Sequence, residues 1–452
     1  MTDNYNVFGT DGVRGIPNQD IFEPLQICCF GVAIGEYLKK RVERPIVLIG
    51  KDTRLSCYML EYILAGALTS KGVDVYLTGP IPTGGISYLS QSMRVDMGIM
   101  VSASHNAWEY NGIKILDSQG VKISVQDEEE ISELLLLAQN KKVNFSSDHL
   151  GRIRRLDDGI WRYLAFIKSL LPRSLSLKGF KIALDCANGA AYFIAPKVFW
   201  ELGAEVISTG CEPNGFNINQ GVGSLYPEHL KKILQDSNAD IGFCFDGDAD
   251  RLVVVTKSGK ILTGDALLAI FTKFRKYTFH SVLKGVVGTL VSNKALEILV
   301  TTEGLEFVRA AVGDRNILAE MQSRGFSLGG EDSGHIILLE RANWGDGLIT
   351  ALAFIELVLK SGATPDNLAE VYRPHPSVSF DYELKGPVAE NFFAEVENLK
   401  NALSEKFSVR SVIRKSGTEN KLRVYLESLD EKALTEARET VSAFLSRLTI
   451  NY

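Results

Sequence analysis

Met97-Gly98-Ile99-Met100-Val101-Ser102-Ala103-Ser104-His105-Asn106 is an apolar run of strand length that stops abruptly at two hydroxyls, an imidazole and an amide. The run reads as a strand, and its end as a loop that holds the Ser104 hydroxyl where a sheet stops. By itself such a loop is ordinary, because Ser, His and Asn commonly close turns by bonding to nearby backbone. Its weight comes from two other stretches laid out the same way.

Three segments run in one order: apolar strand, polar turn, helical pattern, second strand, then a third strand ending in a polar loop. In the first, Ile46-Val47-Leu48-Ile49 precedes Gly50-Lys51-Asp52-Thr53-Arg54, Val73-Asp74-Val75-Tyr76-Leu77 follows, and residues 102–106 close it. In the second, Lys181-Ile182-Ala183-Leu184 precedes Asp185-Cys186-Ala187-Asn188-Gly189, then Ala204-Glu205-Val206-Ile207, and Asp246-Gly247-Asp248-Ala249-Asp250-Arg251 closes it. In the third, Gly285-Val286-Val287-Gly288-Thr289-Leu290 leads through Leu305-Glu306-Phe307-Val308 to Gly330-Glu331-Asp332-Ser333-Gly334-His335. The alternation predicts three similar α/β domains with wound sheets, whose ligands collect at the carboxyl ends of strands.

The last part of the chain differs. Phe392, Val396, Leu399, Leu403 and Phe407 recur at helical spacing, Ser411-Val412-Ile413 and Leu422-Arg423-Val424-Tyr425-Leu426 read as strands, and Leu434, Ala437, Val441, Phe444 and Leu448 mark a final helix. This is a fourth, smaller α+β domain. It is reached through Tyr372-Arg373-Pro374-His375-Pro376, a linker whose two prolines discourage helix. The 452 residues suit several cores rather than one. The expected domains are 1–155, 156–255, 256–370 and 371–452.

Composition narrows the function. A hydrophobic share of 45% fits globular domains. The longest apolar stretch, residues 348–359, contains Glu356 and falls short of the roughly 18 to 20 residues a bilayer crossing needs. The start Met1-Thr2-Asp3-Asn4 does not read as a signal peptide, and the six cysteines lack CxxC spacing, as expected for buried thiols in a reducing compartment. A cytoplasmic protein with no membrane partner is expected. A net charge of -6 argues against sequence-independent nucleic-acid binding but leaves room for a small anion held by local basic loops.

Asp246, Asp248 and Asp250 crowd three carboxylates into five residues, which is costly unless a hard cation neutralises them. A calcium loop fails on residues, since Arg251 and Lys257 occupy the positions that need Gly and Glu. Magnesium suits oxygen ligands with open positions and phosphoryl chemistry. An aspartyl-nucleophile phosphatase is a rival reading, because it too places acids at a strand end. Residues 330–335 offer acceptors and a hydroxyl between glycines, as a polyol needs. Arg414-Lys415-Ser416-Gly417-Thr418-Glu419-Asn420-Lys421-Leu422-Arg423 sets guanidinium forks and hydroxyls around a glycine, a pattern that cradles phosphate. Four loops thus suit four parts of one ligand: nucleophile, cation, hydroxyls and phosphate.

These residues resemble the α-D-phosphohexomutase family along essentially the whole chain. The opening Phe8-Gly9-Thr10-Asp11-Gly12-Val13-Arg14-Gly15 is similar to the family's amino-terminal signature. Gly50-Lys51-Asp52-Thr53-Arg54, the Ser104 loop running into Asn111-Gly112-Ile113-Lys114, Asp185-Cys186-Ala187-Asn188-Gly189-Ala190 and Cys211-Glu212-Pro213-Asn214-Gly215 match as well. The resemblance implies four domains around one central cleft, the last with a TATA-binding-protein-like fold. It implies that Ser104 is a phosphoserine that, with Asp246, Asp248 and Asp250, binds Mg2+. Sugar and phosphate contacts would come from Arg251, Asp314, Arg315, Glu331, Ser333, Arg414, Ser416, Gly417, Thr418 and Arg423. Val312-Gly313-Asp314-Arg315 resembles the specificity loop of members that act on amino sugars, where members of similar size acting on mannose or glucose phosphates typically show Gly-His. Three departures stand out: Ala107 and Asn420 replace prolines, and Ala249 replaces a frequent glycine. The first removes a fixed φ and suggests a looser nucleophile loop.

The implied reaction is an isomerisation by phosphoryl transfer, from glucosamine 6-phosphate through a hexose 1,6-bisphosphate to glucosamine 1-phosphate, feeding amino-sugar nucleotide synthesis. Lys114, His335 and Arg14 are candidates for general acid or base, and His105 is expected to orient the loop. A Ser-His hydrolase is disfavoured because no GxSxG elbow surrounds Ser104. The alternatives are a phosphomannomutase or phosphoglucomutase, a magnesium-dependent sugar phosphatase, and a non-catalytic phosphosugar-binding protein. The expected partner is a small phosphosugar, and the expected state a monomer or homodimer.

Overall fold

Four sheets follow one another along the chain in the computed structural model, which describes residues 6–384, 392–415 and 421–450. The first contains β1 (Val13–Gly15), β2 (Ile46–Lys51), β3 (Asp74–Pro80), β4 (Met97–Val101), β5 (Asn111–Asp117) and β6 (Ile153–Arg155), in the order β1-β5-β4-β2-β3-β6. The second contains β7 (Lys181–Asp185), β8 (Glu205–Thr209), β9 (Ile241–Phe245), β10 (Leu252–Thr256) and β11 (Ile261–Leu262), in the order β11-β10-β9-β7-β8. The third contains β12 (Gly285–Thr289), β13 (Glu306–Ala310), β14 (Leu328–Gly330) and β15 (Ile336–Leu338), in the order β13-β12-β14-β15.

One motif is common to the three. β2, β7 and β12 each lie between two parallel neighbours, and an antiparallel return strand (β5, β10 or β15) pairs with the third strand of its unit. The loop joining third strand to return strand therefore occupies the same place three times, and those loops are residues 102–110, 246–251 and 331–335. The α/β class with mixed sheets is as expected. The return strands were not read from sequence, because Asn111-Gly112 continued one loop and Arg251 ended another, and the apolar runs behind them were short. β4, β9 and β12 are buried at all five positions, which explains their unbroken apolar runs: helices cover both faces.

The helix Gly347–Ser361 shows how the units share a core. Asp346 caps its start by accepting from the Leu348 and Ile349 backbone N–H groups at 2.9 and 3.1 Å, and Gly362, at φ 70°, ends it. Twelve of its fifteen residues are buried, so it is apolar on every side and packs between β10 and β15. Truncating one of them, as in Leu352→Ala, costs about 2–5 kcal/mol on general grounds. Among the described residues no helix is long and apolar enough to cross a membrane.

The fourth sheet holds β16 (Ser377–Glu383), β17 (Arg410–Lys415) and β18 (Lys421–Glu427) in the order β16-β18-β17. Ile413, Leu422, Val424 and Leu426 pack with the helices Phe392–Phe407 and Glu431–Ile450 in a cluster that contains only this unit's residues. β16 was missed in the sequence, where the prolines before it read as linker and Ser-Val-Ser-Phe-Asp-Tyr-Glu offers only half-buried alternate positions. The opposite face of β17 and β18 carries Arg410, Arg414, Arg423, Tyr425 and Glu427.

Candidate active site

Ser104 sits just past the end of β4 in the left-handed region, φ 51°, where a non-glycine residue costs roughly 1–2 kcal/mol. The surrounding bonds hold it there. Arg54, fully buried, salt-bridges Asp52 at 2.8 Å and donates to the carbonyl oxygens of Ser104 (3.0 Å), Asn106 (2.8 Å), Tyr110 (3.0 Å) and Ala107. Asn219, from the second unit, donates to the same Ser104 and Asn106 carbonyls at 2.8 and 2.9 Å. Ser102 donates its hydroxyl to Asp52 at 2.6 Å and accepts from the Ser104 N–H at 2.9 Å. The order a proline at 107 would bring is supplied from outside the loop.

The second loop meets the first. The Ser104 hydroxyl donates to Asp246 Oδ2 at 2.6 Å, and a Cβ on Gly247 would clash with the Ser104 carbonyl oxygen. Carboxylate oxygens of Asp246, Asp248 and Asp250, all buried, lie within 4.8 Å of one another. Burial, then Asp250 and Asp248, pushes the Asp246 carboxyl well above the usual range. For Asp250 burial works the same way, but Lys114 and His335 prevail and hold it well below. Lys114 bridges the units, with its ammonium 2.7 Å from Asp248, 3.0 Å from Asp250 and 3.4 Å from Asp11. Burial lowers its pKa, yet Asp11, Asp248 and Asp250 outweigh that, hold it well above the usual range and keep it protonated. Thr83 donates its hydroxyl to Asp248 at 2.7 Å. Asp248 Oδ1 and Asp250 Oδ1 are buried without a hydrogen-bond partner, which costs free energy unless a cation takes them. This all-oxygen donor set fits magnesium. Ala249 also lies in the left-handed region, φ 57°, the conformation a glycine would adopt without strain.

The third loop closes on the second: the Leu252 N–H donates to the Gly334 carbonyl at 3.0 Å, and Gly334, at φ 94°, leaves no room for a Cβ against Leu252. His335 is buried with Nδ1 3.7 Å from Asp250 and Nε2 3.9 Å from Asp314. Burial alone would lower its pKa, but the nearby carboxylate of Asp250, with Asp314 and Glu331, raises it to about 9. His105, its Nδ1 3.4 Å from the Ser104 hydroxyl, is lowered to about 3 by burial and by Arg251 and Arg14, so its ring is neutral. Glu331 accepts from the Gly313 N–H at 2.9 Å and from the Ser333 hydroxyl at 3.3 Å. Arg251 stands 3.8 Å from Asp250 and 4.0 Å from Asp246. Arg14 donates to the Ala103 carbonyl and pairs with Asp11. Asp314 pairs with Lys122 at 2.7 Å, and Arg315 is turned onto Glu128 of the first unit.

From the fourth unit, burial and the neighbouring Arg423 depress the Arg414 pKa, while Glu331 and Asp381 oppose that shift. Arg414 is thereby within electrostatic reach of the third loop. Ser416, Gly417, Thr418 and Asn420 lie outside the described residues. Sequence reasoning passed over Asp11, Asp52, Arg54, Thr83, Lys122 and Asn219. Asp11, Asp52 and Arg54 stood inside motifs already singled out, whereas Thr83 and Asn219 had no local signal because their partners lie in another unit.

Four family descriptions match the chain in series: phosphoglucomutase/phosphomannomutase α/β/α domain I over residues 5–142, domain II over 162–259, domain III over 263–375 and the C-terminal domain over 383–443. The chain is 41% identical to phosphoglucosamine mutase of Aliarcobacter butzleri over 446 residues, covering 98% of this chain and 99% of the relative. It is 43% identical to phosphoglucosamine mutase of Burkholderia vietnamiensis, covering 96% and 97%. In fold it is similar to a phosphoglucomutase/phosphomannomutase family protein of Burkholderia thailandensis, with TM-score 0.79, 24% identity and coverage of 99% and 98%.

Proposed function

The chain belongs to the phosphoglucomutase/phosphomannomutase family, and from that premise we propose that it interconverts glucosamine 6-phosphate and glucosamine 1-phosphate by way of a phosphoserine at Ser104. It is an isomerase, an intramolecular phosphotransferase. The substrate is carried by one observation above the others: relatives named phosphoglucosamine mutase match at 41–43% identity over nearly their whole length. The decisive assay compares turnover of glucosamine, glucose and mannose 6-phosphates. Preference for glucose or mannose phosphate would replace the amino-sugar reading by its phosphoglucomutase or phosphomannomutase alternative, and release of inorganic phosphate without isomer would favour a phosphatase.

The residues divide the work. Ser104, once phosphorylated, with Asp246, Asp248 and Asp250, would hold Mg2+, which neutralises phosphoryl charge during transfer. Lys114, kept protonated by its three carboxylates, adds fixed positive charge beside the phosphoryl group and is poorly suited to act as a base. His335, protonated near neutral pH, is the general acid toward the sugar oxygen. His105, neutral, orients the Ser104 hydroxyl, and Arg14 braces the loop through Ala103.

Glu331 and Ser333 accept and donate to sugar hydroxyls, with Arg251 at the junction of the second and third loops. Arg414 and Arg423, with Ser416, Gly417 and Thr418, grip the phosphate remote from Ser104. Asp314 and Arg315 hold the specificity loop against the first unit through Lys122 and Glu128. After the first transfer the 1,6-bisphosphate turns end for end, and its other phosphate is returned to Ser104. The work is cytoplasmic, on a small phosphosugar, within domains bounded near residues 155, 255 and 370.

A further inference from the structure

Arg414 and Arg423 stand at one end of the β17–β18 ladder, and the other end of the same face is fastened to the third unit. The register pairs Arg414 with Arg423 and Arg410 with Glu427, so these side chains and Tyr425 project together. Glu427 is 2% exposed. Its carboxylate accepts from the Lys294 backbone N–H at 2.7 Å, from Arg410 at 2.7 Å and from the Tyr425 hydroxyl at 3.1 Å, and lies 3.2 Å from His375 Nδ1. Lys294 opens the helix Lys294–Thr302, so a carboxylate of the fourth unit sits on the positive end of a helix of the third. Arg410 also donates to the Ser292 carbonyl at 3.2 Å and to that of Leu290.

Asn293 completes the joint. Its Oδ1 accepts from the Ala295 N–H, capping the helix, and from the His375 N–H, both at 3.0 Å. Its Nδ2 donates to the His375 carbonyl at 3.0 Å and to the Tyr425 hydroxyl at 3.4 Å. One amide thus grips both backbone groups of a linker residue. The fourth unit's apolar cluster contains only its own residues among those described, so the joint is made by polar groups rather than by a common core.

We infer that Glu427 and Asn293 are positioning residues that set Arg414 and Arg423 at the height of the substrate's remote phosphate. Glu427 lies four residue steps from Arg423, about 13 Å along a strand, so a tilt of about 10° at the joint moves the guanidiniums by about 2 Å. Displacements of this order are large for a reactant that must be held in line. Neither Glu427 nor Asn293 touches the reacting atoms. The inference rests on the phosphate role proposed above for the two arginines.

The test compares Glu427→Gln and Asn293→Ser, the second retaining a helix cap, in the parent and in an Arg414→Ala background. Turnover of glucosamine 6-phosphate and hydrolysis of the Ser104 phosphoryl group by water are measured together. In the parent background each variant is expected to raise KM roughly tenfold, the loss of one hydrogen bond to a charged group. Transfer to water, which needs no remote phosphate, stays at the parent rate. In the Arg414→Ala background the further rise in KM shrinks to well under half, since only Arg423 is left to be positioned. A full additional loss on top of Arg414→Ala, an unchanged KM in both variants, or an equal fall in hydrolysis would overturn the inference. If Arg414→Ala alone has no effect, the phosphate assignment falls, and this inference with it. Should Glu427→Gln fail to fold, Asn293→Ser carries the same comparison.

Discussion

At the scale of single residues the site is a balance of buried charge. Lys114 is 1% exposed and faces Asp11, Asp248 and Asp250, so Lys114→Met removes a cation shared by three carboxylates and strands Asp248, whose one ion pair among the described residues it makes. Breaking such a pair costs about 3–5 kcal/mol. Urea unfolding of the metal-free protein should show that loss, and millimolar magnesium should recover part of it, because a cation at Asp246, Asp248 and Asp250 neutralises the same oxygens. A variant as stable as the parent without metal would contradict the charge balance. Ser104 illustrates a different economy: its left-handed backbone is an unfavourable conformation held by Arg54 and Asn219, which places the hydroxyl 2.6 Å from Asp246.

At the scale of elements, each of the three sheets delivers its loop by the same step from third strand to return strand, and the bracing of those loops is testable. Arg54→Lys keeps the charge but loses the planar fork that serves four carbonyls, and kcat should fall about tenfold or more with KM little changed. A kcat within twofold of the parent would show that the fork is dispensable. At the start of the helix Gly264–Lys273, burial and then Asp332 raise the Asp265 pKa to about 8, while its Oδ2 accepts from the Asn293 N–H at 2.7 Å. The folded pKa lies above the unfolded one, so the stabilising contribution is full below about pH 4 and is lost as pH rises through about 8. Relative to Asp265→Asn, the parent should therefore lose at least about 1 kcal/mol between pH 5 and 9 in chemical denaturation. A constant difference would contradict the shift.

Much of this level was legible in the sequence. Met97–Val101 and Ile241–Phe245 are strands at the residues the apolar runs marked, because buried central strands leave an unbroken signature. β5 was not legible, since its apolar run is interrupted by Lys114, whose partner Asp248 lies far along the chain, and β16, though it alternates cleanly, lies directly behind the prolines that read as linker.

At the scale of the whole molecule, the four loops act only because the units are tied together. Thr83 to Asp248, Asn219 to Ser104, Leu252 to Gly334 and Asn293 to His375 each cross from one unit to the next. Such long-range pairs could not be read from local pattern, whereas the repeat order of strands did reveal that the loops share one end of their sheets. The site so assembled sets the Ser104 hydroxyl on Asp246, beside the Thr83 hydroxyl on Asp248, and everything proposed for the reaction passes through the Ser104 oxygen. The most direct test is the intact mass of the parent and of Ser104→Ala after incubation with glucosamine 1,6-bisphosphate and magnesium. The parent should gain one phosphoryl group, located by peptide mapping on Ser104 and removed on adding glucosamine 6-phosphate, while Ser104→Ala gains none. A phosphoryl group of the same stoichiometry on Ser104→Ala, or a parent that turns over substrate without ever carrying one, would contradict the central role of Ser104.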